Sequence, residues 1–212
     1  MVDTKKFPTT EEELRELGDG PHRFPGTFDE YLDMLTRTEL RIEYANDELI
    51  FMSYATYLHE ALVARLLILI GQLQLSVKSI TPLGSNHRIY VSDQPKSFAP
   101  DAFFVKGKAE HFRPEGKYQV STVTNPWLIV EVLSKSTEEY DLGTKLPAYQ
   151  SLPSVEIILY ARQDEPKITL YRRVTPNLWN SREYDLTSEA LEIAGLELTV
   201  GRVYEGVGEL PG

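Results

Sequence analysis

A chain of 212 residues with 42% hydrophobic side chains carries enough apolar mass for one domain with a real core, and with no cysteine it excludes disulfide frameworks and thiolate metal sites. The formal charge of −10 argues against a general nucleic-acid coat protein, whose affinity rests on neutralising phosphates. No apolar run reads as long enough to span a membrane, and MVDTKKFPTTEEEL lacks the apolar segment of a secretory signal, so a soluble cytoplasmic chain without a membrane partner is expected.

In chain order, Thr10 with Glu13 and Thr27 with Glu30 fit the Ser/Thr-x-x-Glu capping box, which predicts a short helix at each, separated by GDGPHRFPG. This divides the chain into an N-terminal helical extension, residues 1–27, and a single globular domain, residues 28–212. LRIEYANDELIFMS reads as a hairpin turning at Asn46 and Asp47. From Thr56 to about Ser76, Leu58, Leu62, Leu66, Leu69, Ile70 and Leu73 recur at helical spacing and predict the longest helix. Strands are expected around His87–Val91, Asp101–Val105, Trp127–Leu133, Val155–Tyr160 and Lys167–Arg173. Residues 106–124 read as an exposed loop, and the tail from Asn180 as further short strands with a terminal turn. The class is α/β, with a mixed sheet.

Charge is uneven along this path. Between Lys78 and Lys117 lie seven Lys and Arg (Lys78, Arg88, Lys96, Lys106, Lys108, Arg113, Lys117) against Asp93, Asp101, Glu110 and Glu115, which leaves +3 there and −13 elsewhere. Solvated loops and strand edges are the favoured explanation, and a face that tolerates phosphate is the sharper alternative.

WLIVEVLSKST places Glu131 inside an apolar run that reads as a strand buried on both faces, where an ionised carboxylate is costly unless paired or bound to a cation. Asp101, after Pro100 in PDAFFV, falls in a strand that can lie beside it. Like charges meeting in a buried place must share a proton or bind a cation, and oxygen ligands select a hard ion such as Mg2+ or Mn2+. On that view, neutralising either acid leaves the fold intact or more stable. Pro147 cannot sit deep in a helix begun at Ser136, so the helix is expected to restart with Thr144 as its N-cap, putting Lys145 and Tyr149 one turn apart on one face. Ser134 and Ser136 read as turn and cap residues, Ser136 forming a box with Glu139.

RIEYANDELIFMSYATYLHEALVARL, PDAFFV, WLIVEVLSKST and DLGTKLPAY occur in the order seen in the Uma-two family, which the chain resembles over roughly residues 28–173. That family is a branch of the PD-(D/E)XK restriction-endonuclease-like superfamily. The resemblance implies a mixed central sheet flanked by helices and magnesium- or manganese-dependent cleavage of a phosphodiester in nucleic acid, DNA being favoured. It carries Asp101 and Glu131 over as metal ligands, joined by the carbonyl of Val132. The superfamily's lysine two residues after the Glu is Leu133 here, and the resemblance offers Lys145 in the following helix instead; Lys135 sits in a turn. Glu60 would add a third carboxylate. Its neighbour His59 points about 100° away from it and is expected to pack or cap locally. By analogy a homodimer suits cutting both strands of a duplex. The reading from another class is a non-catalytic binding or scaffold module that keeps the acids as a structural pair.

Overall fold

Helices open the chain where a threonine can cap them. The computed structural model describes residues 7–92, 95–115 and 122–208, which leaves Asp93 and Lys117 of the basic stretch outside the described residues. Helix α1 (Glu11–Arg15) starts at Thr10, whose side chain accepts from the Glu13 N–H, but the Glu13 carboxylate reaches Thr9 instead of closing the box. Next in the chain, HRFP forms strand β1 (His22–Pro25), so the segment read as a separator is woven into a sheet. Helix α2 (Phe28–Met34) follows, with both halves of its capping box formed at Thr27. The predicted hairpin is present as β2 (Ile42–Ala45) and β3 (Glu48–Phe51), turning on Asn46 and Asp47 at φ 54° and 58°, the left-handed pair that a type I′ turn requires. Strand β1 pairs antiparallel with β3.

The long helix runs as predicted, with a seam at Gln72 dividing α3 (Tyr57–Gly71) from α4 (Leu73–Ser76). Leu62, Leu66, Leu69, Ile70 and Leu73 enter the core, whereas Leu58 stays 36% exposed. Contrary to the expectation from the sequence, the helical run Tyr57–Ser76 is 20 residues long and its most apolar 18-residue stretch has a mean hydropathy of 1.4, enough by length and composition alone to cross a membrane. Glu60 and Arg65 interrupt the run in the sequence and disguise it.

Beyond α4 come β4 (Ile80–Gly84), β5 (Arg88–Val91), β6 (Lys96–Phe98), β7 (Ala102–Lys106), β8 (His111–Phe112), β9 (Thr122–Val123) and β10 (Leu128–Leu133). The loop expected at 106–124 thus contains two short strands, and its residues 116–121 lie outside the described residues. After β10 a helical stretch is built from α5 (Glu138–Tyr140), a π turn (Asp141–Lys145) and α6 (Leu146–Ser151). Strands β11 (Ile157–Arg162), β12 (Ile168–Thr175), β13 (Leu178–Tyr184), β14 (Ala190–Ile193) and β15 (Leu196–Thr199) precede the terminal helix α7 (Val200–Tyr204). The strands form a seven-stranded sheet ordered β1-β3-β2-β6-β5-β9-β8, a six-stranded sheet ordered β13-β12-β11-β10-β7-β4, and the hairpin β14-β15. Parallel pairing of β10 with β11 and antiparallel pairing with β7 make the six-stranded sheet mixed, as expected.

All six residues of β10 are buried, and alternation sorts them between two cores. Leu128, Val130 and Val132 pack with Leu62 and Leu66 of α3; Ile129 and Leu133 pack with Tyr140, Tyr149 and Tyr160 and with Ile50, Ile89 and Phe98 of the other sheet. Glu131 belongs to the second side, with Leu133 beside it.

The helix after β10 does not restart at Thr144. Ser134 provides the opening turn, its carbonyl accepting from the N–H groups of Thr137 and Glu138, and the Ser136–Glu139 box does not form. Thr144 sits inside the π turn, closed by the Leu146 N–H donating to the Asp141 carbonyl, one residue wider than an α bond. This wide turn is where the helix absorbs Pro147 instead of breaking. Asp141, Lys145 and Tyr149 all end up buried.

Thr56 joins two elements around this region: it caps α3 through the His59 N–H, and its hydroxyl donates to Gln163 Oε1 at 3.0 Å, just past β11. Thr56→Ala is expected to cost about 1 kcal/mol, read as a lower urea midpoint with unchanged slope, and Thr56→Asp, which still caps, should cost less.

Candidate functional site

Strands β7 and β10 stay paired only as far as Ala102 opposite Val130. Past that point side chains take over from the ladder. The Asp101 N–H donates to Glu131 Oε2 at 3.2 Å, and the Val132 N–H donates to Asp101 Oδ2 at 2.8 Å. The Leu133 carbonyl accepts from Gln163 on the β11 side, so Val132, one residue earlier, turns its N–H and C=O to the opposite edge, where Asp101 sits. Asp101, Glu131 and the Val132 carbonyl are thereby brought together where the two strands part.

The π turn supplies the cation. Lys145 Nζ lies 3.0 Å from Asp141 Oδ1, 3.2 Å from Glu131 Oε1 and 3.4 Å from Glu43 Oε1, in a cage where the side chain is 1% exposed. Tyr149 donates its hydroxyl to Glu131 Oε1. Glu43, from β2 of the other sheet, accepts from the Tyr140 hydroxyl at 2.7 Å and from the Ala99 N–H at 2.9 Å, fixing the backbone just before Asp101. Arg41 reaches Asp101 Oδ1 at 3.2 Å and also bonds the Ala99 carbonyl.

Several placements differ from the sequence reading. His59 does not merely pack locally: its Nε2 is 3.2 Å from Asp101 Oδ1, although not aligned as a hydrogen bond. Glu60, turned away on the same helix, is exposed and lines a neighbouring groove instead of joining Asp101 and Glu131. Glu43 and Arg41 were missed. A usable signal was present in IEYA, where Glu43 interrupts apolar strand residues as Glu131 does in β10. Lys135 is 86% exposed and 3.7 Å from Asp164, out in the turn as expected. Lys106, of the basic stretch, lies at the end of β7 remote from Asp101, over the Trp127 ring, and Arg88 has its Nε buried. The site opens into a cleft of about 450 Å3 whose walls include Asp19, Thr56, Lys135 and Asp164.

Four carboxylates, Glu43, Asp101, Glu131 and Asp141, are buried here with one buried cation, Lys145, and a half-buried one, Arg41. Burial alone pushes Asp101 up, but His59, Arg41 and Lys145 outweigh it and hold the carboxyl below its usual range. Burial pushes Glu131 up to about 8; Lys145 opposes the rise, while Asp101, Asp141 and Glu43 add to it. Burial likewise raises Asp141, although Lys145 pulls it down. Lys145 would be lowered by burial, yet Asp141, Glu131 and Glu43 raise it overall. The two acids at the strand ends are thus unlike: Asp101 is compensated as an anion, and Glu131 is not.

That asymmetry has a sign in stability. Glu131 binds a proton in the native state between its unfolded pKa near ~4.3 and about 8, so its contribution is full below that window and is lost as pH rises through it. Asp101 acts oppositely, stabilising above its unfolded pKa of ~3.9 and failing as pH falls through its lower native value. In chelator-treated protein, melting temperature should fall from pH 5 to pH 9 in wild type and stay flatter in Glu131→Gln. Asp101→Asn, which strands Arg41, should melt lower than wild type at pH 7, in contrast to the expectation that either neutral replacement is harmless. Parallel pH dependences of wild type and Glu131→Gln would contradict this.

Residues 28–201 match the Uma2 family model, described as "Putative restriction endonuclease". The Synechocystis protein slr1290, uncharacterized, is 33% identical over 96 residues, 44% of this chain and 50% of slr1290, so the chain matches only half the length of that relative. A second uncharacterized Synechocystis protein, sll1609, is 27% identical over 150 residues, 71% of this chain and 82% of its own. Among solved structures, a "putative nuclease belonging to DUF820" from Anabaena variabilis superposes with a TM-score of 0.64 at 16% identity, covering 82% of this chain and 96% of that one, and so shares its fold. With the family match extending over most of its length, this chain belongs to the Uma2 family.

Proposed function

We propose that the protein is a metal-dependent endonuclease that hydrolyses phosphodiester bonds in DNA, working in the cytoplasm. The observation that carries this reading is the excess of buried carboxylate over buried cation at the mouth of an open cleft. Among the described residues no three His, Asp or Glu side chains form a ready-made metal cage. The donors present still fit a hard ion: two carboxylates and a backbone carbonyl, with water completing the shell, as Mg2+ tolerates. Asp101, Glu131 and Val132 would hold Mg2+ or Mn2+, which when bound lowers the pKa of water and offsets charge on a phosphate.

The residues around that position divide the remaining work. Arg41 and His59 hold Asp101 ionised and facing the cleft. Glu43 and Asp141 hold the Lys145 ammonium beside Glu131, where it can meet a non-bridging phosphate oxygen as negative charge develops. Leu133, packed against Tyr140 and Tyr160, leaves that task to Lys145. A pair of chains would suit the two cuts of a duplex.

The second reading, a non-catalytic binding or scaffold module, is favoured by one observation: Lys145 and both Glu131 oxygens are already satisfied within the chain. Calorimetry and plasmid nicking separate the two. Mn2+ should bind wild type and fail to bind Asp101→Asn. Lys145→Ala should lower the cleavage rate about a hundredfold or more while metal affinity stays nearly intact. Lys135→Ala should change little. Absence of Mn2+ binding at millimolar concentration would sink the nuclease reading, and loss of cleavage in Lys135→Ala but not in Lys145→Ala would overturn the role given to Lys145.

A further inference from the structure

Helices α3 and α4 bury one apolar side and leave another uncovered. Tyr57, Ile68 and Leu75 are 63%, 66% and 90% exposed. Gln72 keeps right-handed helical dihedrals, so the two segments follow each other as one rod. Along it Tyr57, Ala61, Ala64, Ile68, Gly71 and Leu75 recur at alternating steps of four and three. At about 100° per residue this is one straight stripe, with the spacing of a coiled-coil seam. The stripe carries no charge. Glu60 and Arg65 flank it, and Arg65 is tied to Glu205 and to the Arg202 carbonyl of its own chain.

We propose that this stripe packs against the same stripe of a second copy, the helices antiparallel about a two-fold axis level with Leu66. The pattern is self-complementary only that way. Tyr57 of one chain meets Leu75 of the other, Ala61 meets Gly71, and Ala64 makes room for Ile68. A parallel pair would set Ile68 against Ile68 and leave Ala61 and Ala64 facing their own copies across a gap. It would also align like ends of the helix dipoles, whereas the antiparallel pair sets opposite ends together. Between two chains of net charge −10, an uncharged face such as this lowers the repulsion of close approach. A lipid surface fits less well, because the flanks lack the Lys- and Arg-rich face that holds an interfacial helix on anionic lipid. His59 points about 160° around the helix from Tyr57, so pairing leaves both clefts open. The pairing does not depend on the activity proposed above.

Light scattering at high micromolar concentration should give twice the 24.2 kDa chain mass, falling to the single-chain mass in Ile68→Glu and Leu75→Glu without loss of circular-dichroism signal. Because the chain has no cysteine, introduced thiols report geometry directly. Mixed Ala64→Cys and Ile68→Cys chains should cross-link on oxidation, and Tyr57→Cys alone should not. A monomeric wild type, a dimer that survives Ile68→Glu, or efficient cross-linking of Tyr57→Cys would overturn the proposal. So would a monomer that binds phosphatidylglycerol vesicles through Ile68, which would assign the face to lipid.

Discussion

Glu131 stands where β10 has just lost its pairing with β7, on the side of the strand that faces a tyrosine-rich core. A carboxylate there has left water without gaining a ladder partner, and burial is the largest influence on its ionisation. The surrounding architecture answers that one demand. The Asp101 N–H takes the bond that β-pairing would have used, the Tyr149 hydroxyl takes another, and Lys145 is brought in over a π turn. Glu43 ties the second sheet to the same point, through Ala99 on one side of Asp101 and Tyr140 on the helix.

Compensation within the cluster is incomplete, and this gives it chemical capacity. Desolvating an ion costs several kcal/mol after relaxation, and a buried pair recovers that only with good geometry and full hydrogen bonding. Asp101 has Arg41 and the Val132 N–H and stays ionised. Lys145 is surrounded by three carboxylates and stays charged. What remains is negative charge shared by Glu131 and Asp141, beside an open cleft. A proton can neutralise it, and so can a cation entering from solvent.

Much of this was legible in the sequence because the decisive signals were local. Branched and aromatic residues around Glu131 marked a central strand, Pro100 placed Asp101 at a strand entrance, and spacing put Lys145 and Tyr149 one turn apart on one helix face, although nothing in it aimed Tyr149 at Glu131. The rest depended on contacts across long stretches of chain. Glu43 reaches Lys145 only because β2 and the helix after β10 pack from different sheets, and Arg41 meets Asp101 from 60 residues away. His59 was judged from its own helix, where nothing reveals that Asp101, just before the start of β7, lies opposite its ring. The π turn escaped notice because Pro147 is normally a reason to end a helix, and a single wide turn has no compositional mark. Short strands such as β4 and β6 are likewise made by their neighbours rather than by their own residues.

The most direct test of the account is crystallographic: soak the protein in Mn2+ and collect data at a wavelength where manganese scatters anomalously. The account predicts one strong peak bridging the carboxylates of Asp101 and Glu131 with the Val132 carbonyl in its shell, and no peak there in Glu131→Gln. An absent peak in wild type, or one seated among Glu43 and Asp141 with Lys145 displaced, would contradict it.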